Sequence, residues 1–364
     1  MNKQKLVFVI IFFFSNVCFV YSQNNTSIFK DTIDNAFDLS TFLTKQKGVL
    51  PVIMPITEPA VGYGGVVAGL FFVPKKTKQQ PDIIGAAAGL TSNGTWVGGC
   101  GYVGFWKQDK IRYRGVVGYG EIALDFYVLG SKPLNINLNT FMFLQQVNFR
   151  LGNSNFFLGA KYELSKITIP LFEDIELIDP FDLKSSNSGI AIITEFDNLD
   201  NFMSPTKGTR VHLSYNQNLE ALGGSRNWGK ILFFTHIYYP VNKIWTPALR
   251  IESSLTTEKS PFYAKSFVYL RGVPALRYQG DLTMLVETEQ LFNVSSRWGI
   301  VGFTGIGRAF DSIENMNSDE MVWNAGGGFR YLIARALGLK MGADIARGPE
   351  DWAFYVTIGT AWLN

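Results

Sequence analysis

Hydrophobic and polar positions alternate with a period of two along most of the chain. In the stretch 209–216, Val211, Leu213 and Tyr215 share one face, and Arg210, His212, Ser214 and Asn216 share the other. From Ala336 to Ala346, Leu337, Leu339, Met341, Ala343 and Ile345 oppose Ala336, Gly338, Lys340, Gly342, Asp344 and Ala346. Near the C-terminus, Trp352, Phe354, Val356, Ile358 and Trp362 oppose Ala353, Tyr355, Thr357, Gly359 and Ala361. Successive side chains of a strand point to opposite faces, so this period predicts strands. Helical periodicity is weak after residue 50.

Turn-forming residues cut the pattern at short intervals. Between them the spacing predicts fifteen strands: 60–73, 82–92, 95–107, 111–129, 135–150, 156–169, 187–198, 209–217, 228–240, 245–255, 282–293, 298–310, 322–334, 336–347 and 352–362. The longest break after residue 50 covers 257–281. A soluble sandwich or lipocalin-like barrel also alternates, but hides its apolar face. Here the polar face is rich in Gly, Ala and isolated charges. Aromatic pairs stand near strand ends: Phe71-Phe72, Phe105-Trp106, Phe156-Phe157 and Tyr238-Tyr239. Aromatic girdles at the lipid–water boundary mark membrane barrels. The expected fold is therefore all-β, a transmembrane antiparallel barrel. Single-chain barrels of this kind have an even strand count. Sixteen strands are expected, with the missing one inside 111–129 or 170–186.

Composition sharpens this reading. Aromatics make up 15% of the chain, charged residues only 17%, and there are 36 glycines. No apolar run after residue 22 is long enough for a membrane helix, so a barrel that shows its apolar side chains to lipid accounts for the composition. The basic start Met1-Asn2-Lys3-Gln4-Lys5, a short apolar run and a small-residue end predict a signal peptide over 1–22, cleaved after Ser22. Residues 23–50 then form a short periplasmic segment with a brief helix at 38–47, and 51–364 form the barrel. The charge is near balance at +3 and the basic residues are scattered, which argues against nucleic-acid binding. After cleavage one cysteine, Cys100, remains, and no Cys/His cluster has metal-ligand spacing. Neither histidine, His212 or His236, sits in a context that suggests a nucleophile. The runs 98–101 and 326–328 lack the strand-to-helix setting of a phosphate loop. No catalytic residue, metal or cofactor is expected.

Three segments carry a resemblance. Asp197-Asn198-Leu199-Asp200, followed by Pro205 and Gly208, forms a capped turn that leads into a strand. Leu270-Arg271-Gly272-Val273 lies inside the longest loop, five strands before the end. Tyr355 to Trp362, with Gly359, ends the chain on a near-terminal aromatic. In this order they resemble the BamA/TamA superfamily of outer-membrane barrels, the bacterial surface-antigen family, over roughly residues 50–364. The resemblance implies a periplasmic turn at Asp197, Asp200, Pro205 and Gly208. It also implies a closing-strand signal at Tyr355, Gly359 and Trp362. The extracellular loop would fold into the lumen and be latched by Arg271 and Gly272. Glu289 is the expected acidic partner, with Glu287 on the same face as the second choice. The family's second acid, in an F-x-D-x-G motif, is replaced by Gly305 in Phe303-Thr304-Gly305-Ile306-Gly307, which implies a weaker latch. Assembly and transport members carry POTRA repeats, and none is legible here. The implied function is outer-membrane biogenesis, or insertion or translocation of proteins or lipids. Outer-membrane lipid, envelope proteins and client polypeptides are the expected partners. A passive channel or anchoring barrel is the alternative.

Overall fold

The computed structural model describes residues 28–45, 49–56, 61–75, 80–126, 134–168, 184–257, 260–310 and 321–362. The signal-peptide expectation for 1–22 lies outside them. A short helix α1 (Ser40–Lys45) precedes the strands β1 (Val49–Ile56), β2 (Gly64–Val73), β3 (Asp82–Thr91), β4 (Trp96–Trp106), β5 (Ile111–Phe126) and β6 (Leu134–Arg150). Then come β7 (Phe156–Thr168), β8 (Lys184–Asp197), β9 (Gly208–Asn218), β10 (Trp228–Tyr238) and β11 (Trp245–Thr256). A two-residue hairpin, β12 (Ser266–Phe267) and β13 (Gln279–Gly280), lies inside the long loop. The chain finishes with β14 (Leu282–Asn293), β15 (Trp298–Phe310), β16 (Met321–Ala334), β17 (Leu339–Arg347) and β18 (Trp352–Ile358).

All but β12 and β13 form one antiparallel sheet of sixteen strands in sequence order. The sheet curls until β1 and β18 lie side by side. No helix among the described residues is long and apolar enough to cross a membrane.

The sixteenth strand of the described sheet does not come from 111–126, and most of the other expected stretch, 170–183, lies outside the described residues. That strand is β1, which begins two residues before the position assigned as the barrel start. Two of its eight residues are proline, Pro51 and Pro55. Proline cannot donate to a ladder and reads as a strand breaker, but an edge strand tolerates it. β1 is such an edge, paired on one side with β2 from Val49↔Phe71 to Ile56↔Gly64.

Alternation holds through the wall. On β9, Arg210, His212, Ser214 and Asn216 are buried inside, whereas Leu213 and Tyr215 are each 47% exposed outside. The aromatic pairs are split by the same rule. Phe72, Phe105, Phe157 and Tyr238 point inward and are buried, while Trp106, Phe156 and Tyr239 point outward. Each of those three pairs therefore offers one residue to an outer girdle. Further outward aromatics meet beside the short turns, Trp245 stacked on Phe292 and Trp298 tilted against Tyr331.

Leu339 departs from its expected lipid-facing place. A register shift between Leu332 and Ala334 sets it opposite Ala334, and it turns inward to be fully buried against Leu39, Leu43, Leu50, Val52 and Phe72. The lipid-facing test therefore belongs at Leu213, the midpoint of β9. Leu213→Arg is expected to cost about 2–4 kcal/mol if it lies near the midplane. Lys340→Arg, on the inner face, should change stability by less than about 0.5 kcal/mol. Urea titrations of the barrel in lipid vesicles check this, and equal tolerance at both positions would overturn the facing.

Candidate functional site: a latched lumen and an open seam

The loop between β11 and β14 turns back into the barrel. Its residues Val268, Leu270 and Val273 are buried against Leu285 of β14 and Val322 of β16, which gives the loop an apolar footing on the inner wall. Gly272 makes the turn. Its φ is +84°, and a Cβ there would come within 3.0 Å of the Gly348 backbone. Its N–H donates to the Tyr355 hydroxyl at 2.9 Å.

This turn delivers Arg271 to three acids. Nε and Nη2 donate to Glu287 Oε1 at 3.2 and 3.1 Å, and Nη1 donates to Asp344 Oδ2 at 2.9 Å. Glu289 Oε2 lies 3.0 Å from the same Nη1. The guanidinium carbon sits 3.5 Å from the Phe303 ring centroid. Arg330 donates to both oxygens of Asp344, and Arg250 donates to Glu252 at 2.6 Å and lies 3.6 Å from Glu287 Oε2. Asn324 donates to Glu287 Oε1 and to the Arg271 carbonyl, both at 3.1 Å. Alternating charges in a space drier than bulk water attract more strongly than they would at a surface.

Glu287, the second choice from sequence, thus carries the two-donor contact, and Glu289 contributes an ion pair. The acid missing at Gly305 is supplied from elsewhere. Glu287, Gly305 and Asn324 lie in one row across β14, β15 and β16. A Cβ at Gly305 would stand 2.9 Å from Asn324 Oδ1 and from the Val286 carbonyl, so an aspartate has no room. Asp344 on β17 takes its place. The alternation already placed Asp344 on the inner face. What sequence lacked was the register that brings it opposite Arg271.

Trp362 also differs from expectation. The last strand ends at Ile358, and Gly359, with φ +83°, turns the chain inward. Thr360 N–H donates to the Met203 carbonyl at 2.6 Å, and Trp362 is buried inside the lumen. Its Nε1 donates to Glu287 Oε2 at 2.6 Å, and its ring lies 5.7 Å from His236. The near-terminal aromatic therefore joins the latch instead of the lipid face.

The turn motif has a larger reach than a tight turn. Asp197 Oδ1 accepts the Leu199 N–H, and Asp200 accepts from the Thr206 and Lys207 backbone. Pro205 is buried, and Gly208 has φ +112° with Asn198 O only 2.5 Å from where a Cβ would be. The residues between cross the end of the lumen. Asn201 Nδ2 donates to the Leu337 carbonyl, Ser204 Oγ accepts the Lys340 N–H, and Phe202 packs on Phe105 of β4. Above this floor, Glu195 accepts from Arg210 at 2.9 Å and contacts His212 Nδ1 at 3.2 Å. His212 stacks on Phe234, which stacks on His236. Among the described residues no group of His, Cys, Asp and Glu could hold a metal ion.

The N-terminal segment straps the seam at the same end. Arg297, in the β14–β15 turn, donates to Asp34 at 2.8 Å, to Asp38 at 2.6 Å and to Asp31. Arg335, after β16, donates to Asp31 and Asp34. Leu39 and Leu43 then pack on β1 and β2 on one side and on Ala334 and Leu339 on the other. Hydrogen bonds from Arg297 hold the Asp34 carboxyl well below the usual carboxylate range. Burial pushes Asp38 up, but hydrogen bonds from Ser40, Arg297 and the Arg335 backbone outweigh it and leave Asp38 below its ordinary value.

Among the described residues no ladder joins β1 to β18. The molecule is thus a sixteen-stranded membrane barrel with a latched inward loop and an unpaired seam. Its fold is that of BamA and CdiB. The barrel superposes on BamA from Haemophilus ducreyi lacking POTRA domains 1–3 with TM-score 0.56 and 12% identity, covering 85% of this chain and 70% of that one. CdiB from Escherichia coli gives 0.58, 10%, 85% and 61%. CdiB from Acinetobacter baumannii gives 0.57, 12%, 85% and 59%. The chain thus spans about three fifths of each CdiB. No family model matches the sequence, and no curated protein matches it.

Three outcomes follow from this geometry. Arg271→Ala removes the cation shared by Glu287 and Asp344, leaving Glu287 to Asn324 and Trp362 and Asp344 to Arg330, and should cost about 3 kcal/mol, the low end for breaking a buried pair. Paired with Glu287→Ala in a double-mutant cycle, read by protease cleavage of the loop, the effects should be strongly non-additive. Gly305→Asp should weaken the latch instead of restoring a family acid. The strap should respond to acid. Carboxylates held below their unfolded values stabilise at neutral pH, and that contribution fades as pH falls below about 4 toward the folded values. Proteolysis within 28–45 should therefore accelerate between pH 5 and pH 3, by less in Arg297→Gln, whose clasp is already broken.

Proposed function

We propose that this protein is an outer-membrane barrel that inserts or translocates proteins or lipids during envelope biogenesis, with the β1–β18 seam as its working edge. The carrying observation is that seam. In hydrocarbon an unpaired backbone group costs several kcal/mol. An edge presenting a row of such groups templates another strand. Two prolines in β1 weaken any ladder that β18 could make with it. The inserted loop and the 198–207 floor occupy the lumen, which disfavours a simple aqueous channel. Outer-membrane lipid and client polypeptides are the partners this reading requires, and the signal peptide supplies the export route. The fold shared with BamA and CdiB supports it, as does the resemblance in the latch and turn segments. The work is strand exchange and lipid displacement, which needs no catalytic residue or cofactor.

A reversible lock tests the proposal. In a Cys100→Ser background, Ile53→Cys is combined in turn with Phe354→Cys and Val356→Cys. A small outer-membrane barrel polypeptide is then supplied, unfolded in urea, to vesicles holding the full chain. The oxidised lock should slow its insertion at least tenfold, and reductant should restore the rate. Full activity with the seam shown to be cross-linked would favour a passive or anchoring barrel.

A further inference from the structure

The inner wall of the barrel has two chemistries. From β7 onward it is polar: Lys161, Glu163, Asn187, Glu195, Arg210 and Ser214 face inward, in the register that pairs Lys161 with Ala191 and Glu195 with His212. From β1 to β6 it is mostly apolar. Leu50, Leu70 and Gly85 lie in one inward row, and Val52, Ala68, Ala87 and Gly99 in the next. The inserted loop covers the far side, on β14 and β16. The near wall stays open, with Ala87 and Gly99 exposed and Met142 45% exposed on the inner face.

The open wall bounds a cavity of about 580 Å³, lined by Val66, Leu70, Ala87, Val97, Val116 and Met142 among others. Phe202 of the floor and Arg114 border it. Apolar surface of this size left open inside a protein marks a binding site.

The choice of occupant follows from the backbone. Each of β2–β6 has a paired neighbour on both sides, so its N–H and C=O groups are used within the sheet. A polypeptide laid on this wall would bring main-chain groups with no partners, which is costly away from water. A hydrocarbon chain brings none. The glycine positions leave a shallow bed without side chains to displace. The wall also runs without a polar break through β2 and β1 to the seam, but on β1 and lower β2 it is covered by Leu39, Phe42 and Leu43 of the N-terminal segment, so entry through the seam requires that segment to lift.

We propose that the inner wall of β2–β6 binds a single lipid acyl chain, which leaves the bilayer through the β1–β18 seam while its head group stays at the membrane boundary. For the route, though not for the occupancy, this rests on the seam reading above.

The test uses the full chain in phosphatidylethanolamine vesicles carrying a diazirine on one acyl chain. After photolysis, peptides are mapped by mass spectrometry. Ile84 and Val117, on the outer face, label in any barrel and serve as the reference. Adducts on Ala87, Val97, Val116 or Met142 are expected as well. Ala87→Trp should reduce them at least fivefold, whereas Ala88→Trp, one residue on and facing outward, should not. Both variants must keep heat-modifiable migration; if Ala87→Trp fails to fold, Val97→Phe replaces it. Adducts confined to outward residues, or unaffected by filling the groove, would overturn the assignment. Inner labelling absent from the unmutated barrel while client insertion proceeds counts against the acyl chain alone. Inner labelling in a barrel whose insertion ignores the seam lock counts against the insertase reading alone.

Discussion

A sheet that crosses hydrocarbon must satisfy its own backbone, because lipid offers no hydrogen bonds. Curling sixteen strands into a ring meets that demand at every neighbour pair but one. Much else in this molecule is arranged around the exception. The strands flanking the seam are short, eight residues in β1 and seven in β18, where β5 and β6 have sixteen and seventeen. β1 carries two prolines, which an edge strand bears cheaply. The inward C-terminal turn and the strap both stand at its lower end.

The charge network inside the lumen has a different task. Taking arginines and carboxylates out of water costs free energy that their mutual attraction only partly returns. Such a cluster is thus a poor source of net stability but a good source of position, since one arrangement satisfies all members. Arg271 fixes the loop to β14 and β17 together, and Trp362 ties the chain end to the same Glu287. The loop, the last hairpin and the terminus therefore share one anchor, which spans from β14 to β17, the strand next to the free edge.

Most of the wall was legible in the sequence because the alternation is strict wherever lipid meets one face. Val211, Leu213 and Tyr215 could not be read another way. The reading failed where local chemistry contradicts the ladder, as in Pro51 and Pro55, or where a register shift turns a wall position inward, as at Leu339. Within the latch, residue types and faces were readable one strand at a time. Asp344, Asn324 and Trp362 were missed as partners because their meeting depends on shear between strands far apart in sequence. The split between apolar and polar inner walls was open to view in the glycines and alanines of 82–103, but small residues on an inner face read first as packing.

The strap joins residues 31–38 to residues 297 and 335, partners more than 250 positions apart in the chain. Such contacts form late, after the loop-closure entropy of the intervening chain has been met by other structure. The first described segment of the polypeptide thus waits for the last hairpins before it can dock. Once docked, it brings the first and last described segments together at one rim, so that the barrel is joined as a circle by ion pairs and leucines where hydrogen bonds leave it open. Proteins whose ends meet in this way tolerate being cut and rejoined at new places, and the same segment that lies across the seam marks the natural point for such a rearrangement.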